Sequence, residues 1–101
     1  MMYTMMIGLN DKETKKQEIS TDVALNIVKS LCWEMFEGST VSLAYGLYKH
    51  DDGEKVSENT IRVELMMVNE SQVKQFAETI KKALNQESVL VVKAEIKSDL
   101  W

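Results

Sequence analysis

The side chains best suited to binding a metal ion lie together in one short polar stretch. His50 is the only histidine of the chain, and Asp51 and Asp52 follow it directly. One imidazole and two carboxylates are donors that divalent metals accept. Adjacent aspartates point in different directions, however, and Asp-Asp-Gly is a typical turn sequence. With no second histidine to complete a ligand set, the pattern favours a turn and predicts no metal or other cofactor.

The other reactive side chain is a single cysteine. Cys32 would need a neighbouring base and a lowered pKa to act as a nucleophile, but it lies mid-helix, four residues after the core-facing Val28. We therefore predict a small, half-buried core residue. Trp33 and Phe36 could cap a ligand pocket, although aromatic residues near a helix end more often pack. No Ser/His/Asp order or phosphate-binding loop accompanies them, so the sequence predicts no catalytic residue.

Composition limits the class of protein. The chain has 101 residues and a net charge of -4, from 12 basic and 16 acidic residues, which indicates a single domain over residues 1–101. It has no basic cluster with interleaved aromatics, so we expect no nucleic acid partner. The apolar run Met1–Leu9 is too short to span a membrane and lacks a basic flank. A lone cysteine and this amino terminus together predict a cytoplasmic protein without membrane contact.

The clearest structural signal is a β-hairpin between Thr40 and Val68. The stretch Thr40–Tyr48 alternates polar and apolar side chains with period two, and Thr60–Val68 does the same. Asp51-Asp52-Gly53 provides turn residues between the two strands.

Further elements flank this hairpin on both sides. Met2–Leu9 predicts a central strand and Asn10–Gln17 a charged loop. Ser20, Thr21 or Asp22 would cap a first helix that Gly38 ends, with an apolar stripe of Ala24, Ile27, Val28, Leu31 and Met35. Asn69 with Gln72 forms a capping box for a second helix, with a stripe of Val73, Phe76, Ala77, Ile80 and Leu84. Ser88–Lys97 predicts the last strand.

The order of these elements is βαββαβ, which defines the fold class. Right-handed crossovers give an α+β ferredoxin-like plait, in which a four-stranded antiparallel sheet carries two helices on one face. The first and third strands should lie at the centre of the sheet.

Three short segments resemble a family of small bacterial proteins that carry an uncharacterised domain. They are Ile7-Gly8-Leu9, Asp51-Asp52-Gly53 and Gln86-Glu87-Ser88-Val89-Leu90. The resemblance implies a compact ferredoxin-like domain of unknown function with no assigned activity.

The sheet face away from the helices is the more informative surface. Its predicted side chains are neither fully polar nor fully apolar, and contiguous apolar patches commonly mark contact surfaces. We predict a binding or interface surface formed by Met6, Tyr48, Arg62, Glu64, Met66, Val91, Lys93 and Glu95.

These observations lead to a non-enzymatic binding or regulatory module that forms a homodimer through this face. The alternative is a small dimeric plait-type enzyme that acts on a small organic substrate, with Tyr45, Tyr48, His50 and Arg62 as the suspected residues. A third possibility is an accessory protein that docks on a larger partner by strand addition at the exposed edge strand Thr40–Lys49.

Overall fold

The computed structural model describes residues 1–101 and contains six regular elements. In chain order they are β1 (Met2–Gly8), α1 (Thr21–Met35), β2 (Thr40–Lys49), β3 (Lys55–Met66), α2 (Glu70–Ala83) and β4 (Leu90–Ala94). The strands form one antiparallel sheet in the order β2-β3-β1-β4. The predicted α+β ferredoxin-like plait, with the first and third strands at its centre, is confirmed.

Both helices begin at side chains that the sequence identifies as caps. The Ser20 hydroxyl accepts a hydrogen bond from the Val23 amide at 3.3 Å. At α2 the Asn69 side chain accepts from the Gln72 amide at 2.9 Å, and Gln72 accepts in return from the Asn69 amide at 3.2 Å. This reciprocal pair is the predicted capping box. No helix is both long enough and apolar enough to cross a membrane.

The core lies between the helices and one face of the sheet. The buried side chains are Tyr3, Met5, Ile7, Leu9, Ala24, Val28, Cys32, Phe36, Ile61, Val63, Leu65, Val73, Phe76, Ile80 and Leu84. Of the predicted helical stripes, Ile27, Leu31, Met35 and Ala77 are only partly buried against this core. Phe36 and Phe76 contact each other with ring centroids 5.4 Å apart. Cys32 is almost fully buried among them, which confirms its predicted place in the core, and burial raises its pKa.

The hairpin is longer than the alternation predicts. β3 begins at Lys55, five residues before Thr60, so the connecting loop is only His50–Glu54. The His50 amide donates to the Glu54 carbonyl at 2.8 Å, and Gly53 adopts a positive φ of 88°. The turn interpretation of Asp51-Asp52-Gly53 is confirmed, because this backbone conformation favours glycine.

The faces of the last strand are opposite to those predicted. Val91 lies across from Met5 and Lys93 across from Tyr3, so both belong to the helix side of the sheet. Lys93 contacts Glu70 of α2 at 3.0 Å. The assignment of Val91 and Lys93 to the open face is wrong, and Glu95 lies beyond the strand. Alternation favours the wrong side, because Leu90, Val92 and Ala94 form the more apolar set, while Lys93 lies on the helix side with its charge paired to Glu70.

Candidate active site in the hairpin cleft

A cleft of about 1170 Å³ opens where the β2–β3 hairpin extends past the end of β1. Its floor belongs to the open face of the sheet, and its far wall is formed by the loop between β1 and α1 and the segment before β4. We call it the hairpin cleft and define it by Met6, Gly8, Tyr48, Glu58, Thr60 and Leu90.

Glu58 is a charged side chain of this cleft that is held by hydrogen bonds on both carboxylate oxygens. The Tyr48 hydroxyl donates a hydrogen bond to one of its carboxylate oxygens. The Asn10 amide donates to the other oxygen at 3.0 Å. Donors on both oxygens fix the position of the carboxylate, and hydrogen bonds to an ionised acceptor are stronger than neutral ones.

Two glycines make room for this carboxylate. A Cβ on Gly8 would lie 2.6 Å from the Glu58 Cδ and 2.7 Å from its Oε2, closer than any real contact. Gly46 lies directly opposite Glu58 in the β2–β3 register, and a Cβ there would lie 3.2 Å from the Thr60 Oγ1. A side chain at Gly8 would therefore displace the carboxyl group, and one at Gly46 would crowd its neighbour.

Hydrogen bonds to Asp11 fix the conformation of the loop after β1. The Asp11 carboxylate accepts from the Asn85 side-chain amide at 2.8 Å and from the backbone amides of Glu13 and Thr14 at 2.9 and 3.2 Å. These hydrogen bonds, the Asn85 bond first, lower the pKa of Asp11. The Gln86 side chain adds a bond to the Asn10 carbonyl at 2.8 Å. The end of α2 thus positions the residue whose amide contacts Glu58.

The lining of the cleft places the Glu58 carboxylate among apolar residues, with charges of both signs around the rim. The apolar residues are Met6, Ala44, Tyr45, Leu47, Val56 and Leu90. The charged rim residues are Lys12, Lys15, Lys16 and Lys55 with Asp11, Glu54 and Glu87. A carboxylate on an apolar floor suits an organic cation, while the lysines and the tyrosine suit the polar groups of a larger ligand.

Only part of the predicted surface belongs to this cleft. Met6 and Tyr48 of the predicted surface line the cleft. Tyr45 and His50, which are candidates in the alternative enzyme hypothesis, line it as well. Arg62 is not among the lining residues.

The remaining predicted residues of the open face lie along the central strand β3, outside the cleft. Arg62 contacts Glu64 at 3.6 Å, and its Nε atom is buried without a hydrogen-bond partner. Met66 is exposed at the end of β3. Met66, Leu90 and Val92 make this face partly apolar, as predicted. The residues that β4 contributes are Leu90 and Val92, in place of the predicted Val91 and Lys93.

Glu58 itself was missed by the sequence analysis. The return strand was placed from Thr60 onward, so Glu58 fell within the predicted connection. A longer strand would have made it a diagonal cross-strand neighbour of Tyr48, since Tyr48 pairs with Val56. The signal that could identify Glu58 is a tyrosine and a glutamate whose side chains lie on the same face of the two paired strands. A glycine opposite the glutamate, here Gly46, completes this signal.

A family model described as the S-adenosylmethionine lyase family matches residues 7–100. The chain belongs to this family. The resemblance to an uncharacterised family is therefore wrong, because the matching family is named for an activity. The prediction of a non-enzymatic module of unknown function is wrong for the same reason. The expectation that the chain is not an enzyme is also wrong.

Solved structures share the architecture at low sequence identity. A phage SAM lyase in complex with S-methyl-5'-thioadenosine is 18% identical, with a TM-score of 0.58 over 89% of this chain and 76% of that one. The phage SAM lyase in its apo state is 14% identical, with a TM-score of 0.56 over 89% of this chain and 75% of that one. A CutA1 variant from Pyrococcus horikoshii is 14% identical, with a TM-score of 0.60 over 98% of this chain and 88% of that one. At these identities the likeness supports the fold. No curated protein sequence matches significantly.

Proposed function

We propose that this protein is a lyase that cleaves S-adenosylmethionine and releases S-methyl-5'-thioadenosine, with the hairpin cleft as its active site. The observation that carries the proposal is the Glu58 carboxylate, fixed by Tyr48 and Asn10 on a partly apolar floor. Family membership over residues 7–100 supports the substrate class. The ligand named for the phage lyase, a thioether attached to adenosine, supports the product.

The reaction can be balanced without a co-reactant. The bond between the sulfonium sulfur and the γ-carbon breaks, and its electron pair returns to sulfur, which becomes a neutral thioether. An oxygen of the substrate's own carboxylate attacks the γ-carbon, which gives a five-membered lactone. No water is consumed and no proton has to be removed from carbon. The positive charge on the sulfonium sulfur and the negative charge on the substrate carboxylate neutralise each other as the reaction proceeds. A site that replaces water with fixed polar groups therefore favours the reaction.

Four residues of the cleft have distinct roles in this reaction. The Glu58 carboxylate attracts the cationic end of the substrate, and its two hydrogen bonds hold it in one place before the substrate arrives. Tyr48 positions Glu58 through the hydroxyl bond and presents its ring to the cleft. Met6 and Leu90 exclude water from the floor. Binding the substrate with its carboxylate folded toward the γ-carbon converts the attack into a well-oriented intramolecular step.

The test is release of S-methyl-5'-thioadenosine from S-adenosylmethionine by the purified protein, followed by liquid chromatography and mass spectrometry. Glu58→Gln removes the charge at nearly constant shape and should lower kcat/KM about 10²-fold or more. Tyr48→Phe should lower it by a smaller factor, because the Asn10 bond remains. Glu78→Gln is the matched control, since Glu78 pairs only with Lys81 on the exposed side of α2.

Two results would contradict the proposal. One is a wild-type protein that releases no thioether at saturating substrate. The other is a Glu58→Gln protein as active as the Glu78→Gln control, which would place the reaction elsewhere. Identification of the lactone in the second product supports intramolecular attack, whereas an unsaturated amino acid would replace that step with elimination.

We also propose that the protein is cytoplasmic and that its copies self-associate through the open sheet face, as a homodimer in the simplest case. Exposed Val92 and Met66 support this, because they extend the apolar surface of the open face beyond the cleft residue Leu90. Met66→Lys and Val92→Lys should shift the assembly toward monomer in sedimentation velocity. An unchanged sedimentation coefficient in both variants would contradict a contact through this face.

A further inference from the structure

The carboxyl end of α2 has a backbone conformation that favours glycine, yet the chain has an asparagine there. Asn85 follows the C-cap residue Leu84 and adopts a positive φ of 49°. Its amide donates to the Lys82 carbonyl at 3.4 Å, and the Gln86 amide donates to the Lys81 carbonyl at 2.9 Å. These two bonds form a Schellman motif, whose left-handed position is most often glycine. Asparagine tolerates this conformation and, unlike glycine, adds a side chain that can form hydrogen bonds.

The Asn85 side chain is directed to the loop after β1. Its Nδ2 atom donates to the Asp11 Oδ1 atom at 2.8 Å. The second oxygen of Asp11 accepts from the Glu13 and Thr14 amides, so this carboxylate connects the end of α2 to the first turn of the loop. The Lys12 amide also donates to the Asn85 carbonyl at 3.1 Å. Asn85 therefore holds the loop through both its side chain and its backbone.

The same loop supplies a hydrogen-bond donor to the proposed active site. Asn10 directly precedes Asp11, and its amide donates to the Glu58 Oε2 atom at 3.0 Å. The Gln86 side chain donates to the Asn10 carbonyl at 2.8 Å. A donor stabilises charge in an active site most effectively when its position is fixed before the substrate binds. The bond between Asn85 and Asp11 fixes the residue next to this donor.

We propose that Asn85 is a positioning residue for Glu58. Through Asp11, its side chain fixes the loop so that the Asn10 amide meets the Glu58 carboxylate. This role rests on the proposed function of the hairpin cleft. Asn85 does not line the cleft, so its effect on the reaction passes through the Asn10 amide.

Replacing Asn85 by glycine separates positioning from a purely structural role. Glycine adopts the left-handed conformation without strain, so the end of α2 should be kept and the melting temperature should change little. The bond to Asp11 is lost, however. We expect kcat/KM for thioether release to fall about 10-fold, less than in Glu58→Gln, because the Tyr48 hydroxyl still holds the carboxylate.

Met67→Gly is the matched control. Met67 is another non-glycine residue with a left-handed backbone, at a φ of 59°, and it is 92% exposed. It should keep the wild-type kcat/KM. In a Glu58→Gln background, Asn85→Gly should cause little additional loss, because both changes then act on the same carboxylate.

A charge-exchange pair tests the contact itself. Asn85→Asp alone places two carboxylates together and should lower kcat/KM at least as much as Asn85→Gly. Combining Asn85→Asp with Asp11→Asn restores the hydrogen bond with donor and acceptor interchanged. This double variant should therefore recover most of the wild-type kcat/KM, which a change that only disturbs the helix end would not do.

Amide hydrogen exchange without substrate tests the contact separately from the reaction. The Asn10 amide should exchange about 10-fold faster in Asn85→Gly than in the wild type or Met67→Gly, since local opening sets the exchange rate. Wild-type kcat/KM in Asn85→Gly would overturn the proposal, as would an unchanged exchange rate at Asn10 or a charge-exchange pair no more active than Asn85→Asp. A wild type that releases no thioether would refute the proposed function, and the exchange rate at Asn10 would still decide whether Asn85 positions this amide.

Discussion

Replacing Gly8 by alanine tests the geometry of the proposed active site without changing any polar side chain. Gly8 ends β1 and lies beside the Glu58 carboxyl group, where an added Cβ would come within 2.7 Å of Oε2. Carbon and oxygen atoms in ordinary contact are about 3.5 Å apart or more. The carboxylate therefore has to move by roughly 1 Å or adopt another rotamer.

The size of the effect follows from that displacement. A misplacement of about 1 Å in a reacting site costs about 10²-fold in rate, so Gly8→Ala should lower kcat/KM about as much as Glu58→Gln does. Stability should change little. The backbone of Gly8 has no positive φ, so alanine is compatible with it and gains about 0.4–1 kcal/mol from the unfolded state. The partly exposed carboxylate can turn toward water, which limits the loss from its hydrogen bonds.

The assay is thioether release at several substrate concentrations, together with thermal unfolding of the same samples. Gly38→Ala is the control, since a Cβ on Gly38 would meet nothing within 4 Å. We expect two folded proteins of similar melting temperature and a low activity only in Gly8→Ala. Wild-type kcat/KM in a folded Gly8→Ala protein would refute the argument, because the position of the Glu58 carboxyl group would then not matter.

Three further predictions concern the fold. Phe76→Ala removes a fully buried ring that contacts Phe36 and should lower the free energy of unfolding by about 3–5 kcal/mol in urea titration; a loss under 1 kcal/mol would contradict this core. Asn69→Ala removes the capping bond to Gln72 and should cost about 1 kcal/mol, whereas Ser71→Ala, a change next to the cap that leaves this bond in place, should cost less. The pKa of Asp11 is lowered in the folded state, so its contribution to stability is present above the unfolded value of 3.8 and is lost as pH falls through the folded pKa. Asp11→Asn should flatten the dependence of the urea midpoint on pH in that acidic range, and an unchanged slope would contradict the assignment.

The fold was accessible from the sequence because several local signals agree. The capping box at Asn69 and the two helical stripes each fix an element without reference to the others. Once six elements are placed, topology rules leave few arrangements, and the observed strand order is the expected one. The faces of β4 were not accessible, because alternation favours the more apolar side with Leu90, Val92 and Ala94 as the inner one. The side with Val91 and Lys93 faces the helices instead, where Lys93 reaches Glu70.

The site was harder to predict because it depends on distances between elements. Glu58 is an ordinary surface glutamate in the sequence, and so is Glu78. What distinguishes Glu58 is that Gly8 from β1, Tyr48 from β2 and the Asn10 amide from a loop converge on it. Those four residues span 50 positions of the chain, and only the register of the sheet brings them together.

The same convergence explains why the chain carries no nucleophile or metal cluster that would mark it as an enzyme. A substrate that contains a sulfonium group and a carboxylate carries both its leaving group and its attacking group. The protein then has to supply orientation, a dry floor and one fixed charge rather than a reactive side chain. A carboxylate held by a hydroxyl and a backbone amide meets that need, and short motifs of the kind that mark proteases or kinases are not required for it. The absence of such motifs was therefore a weak argument against catalysis in this chain.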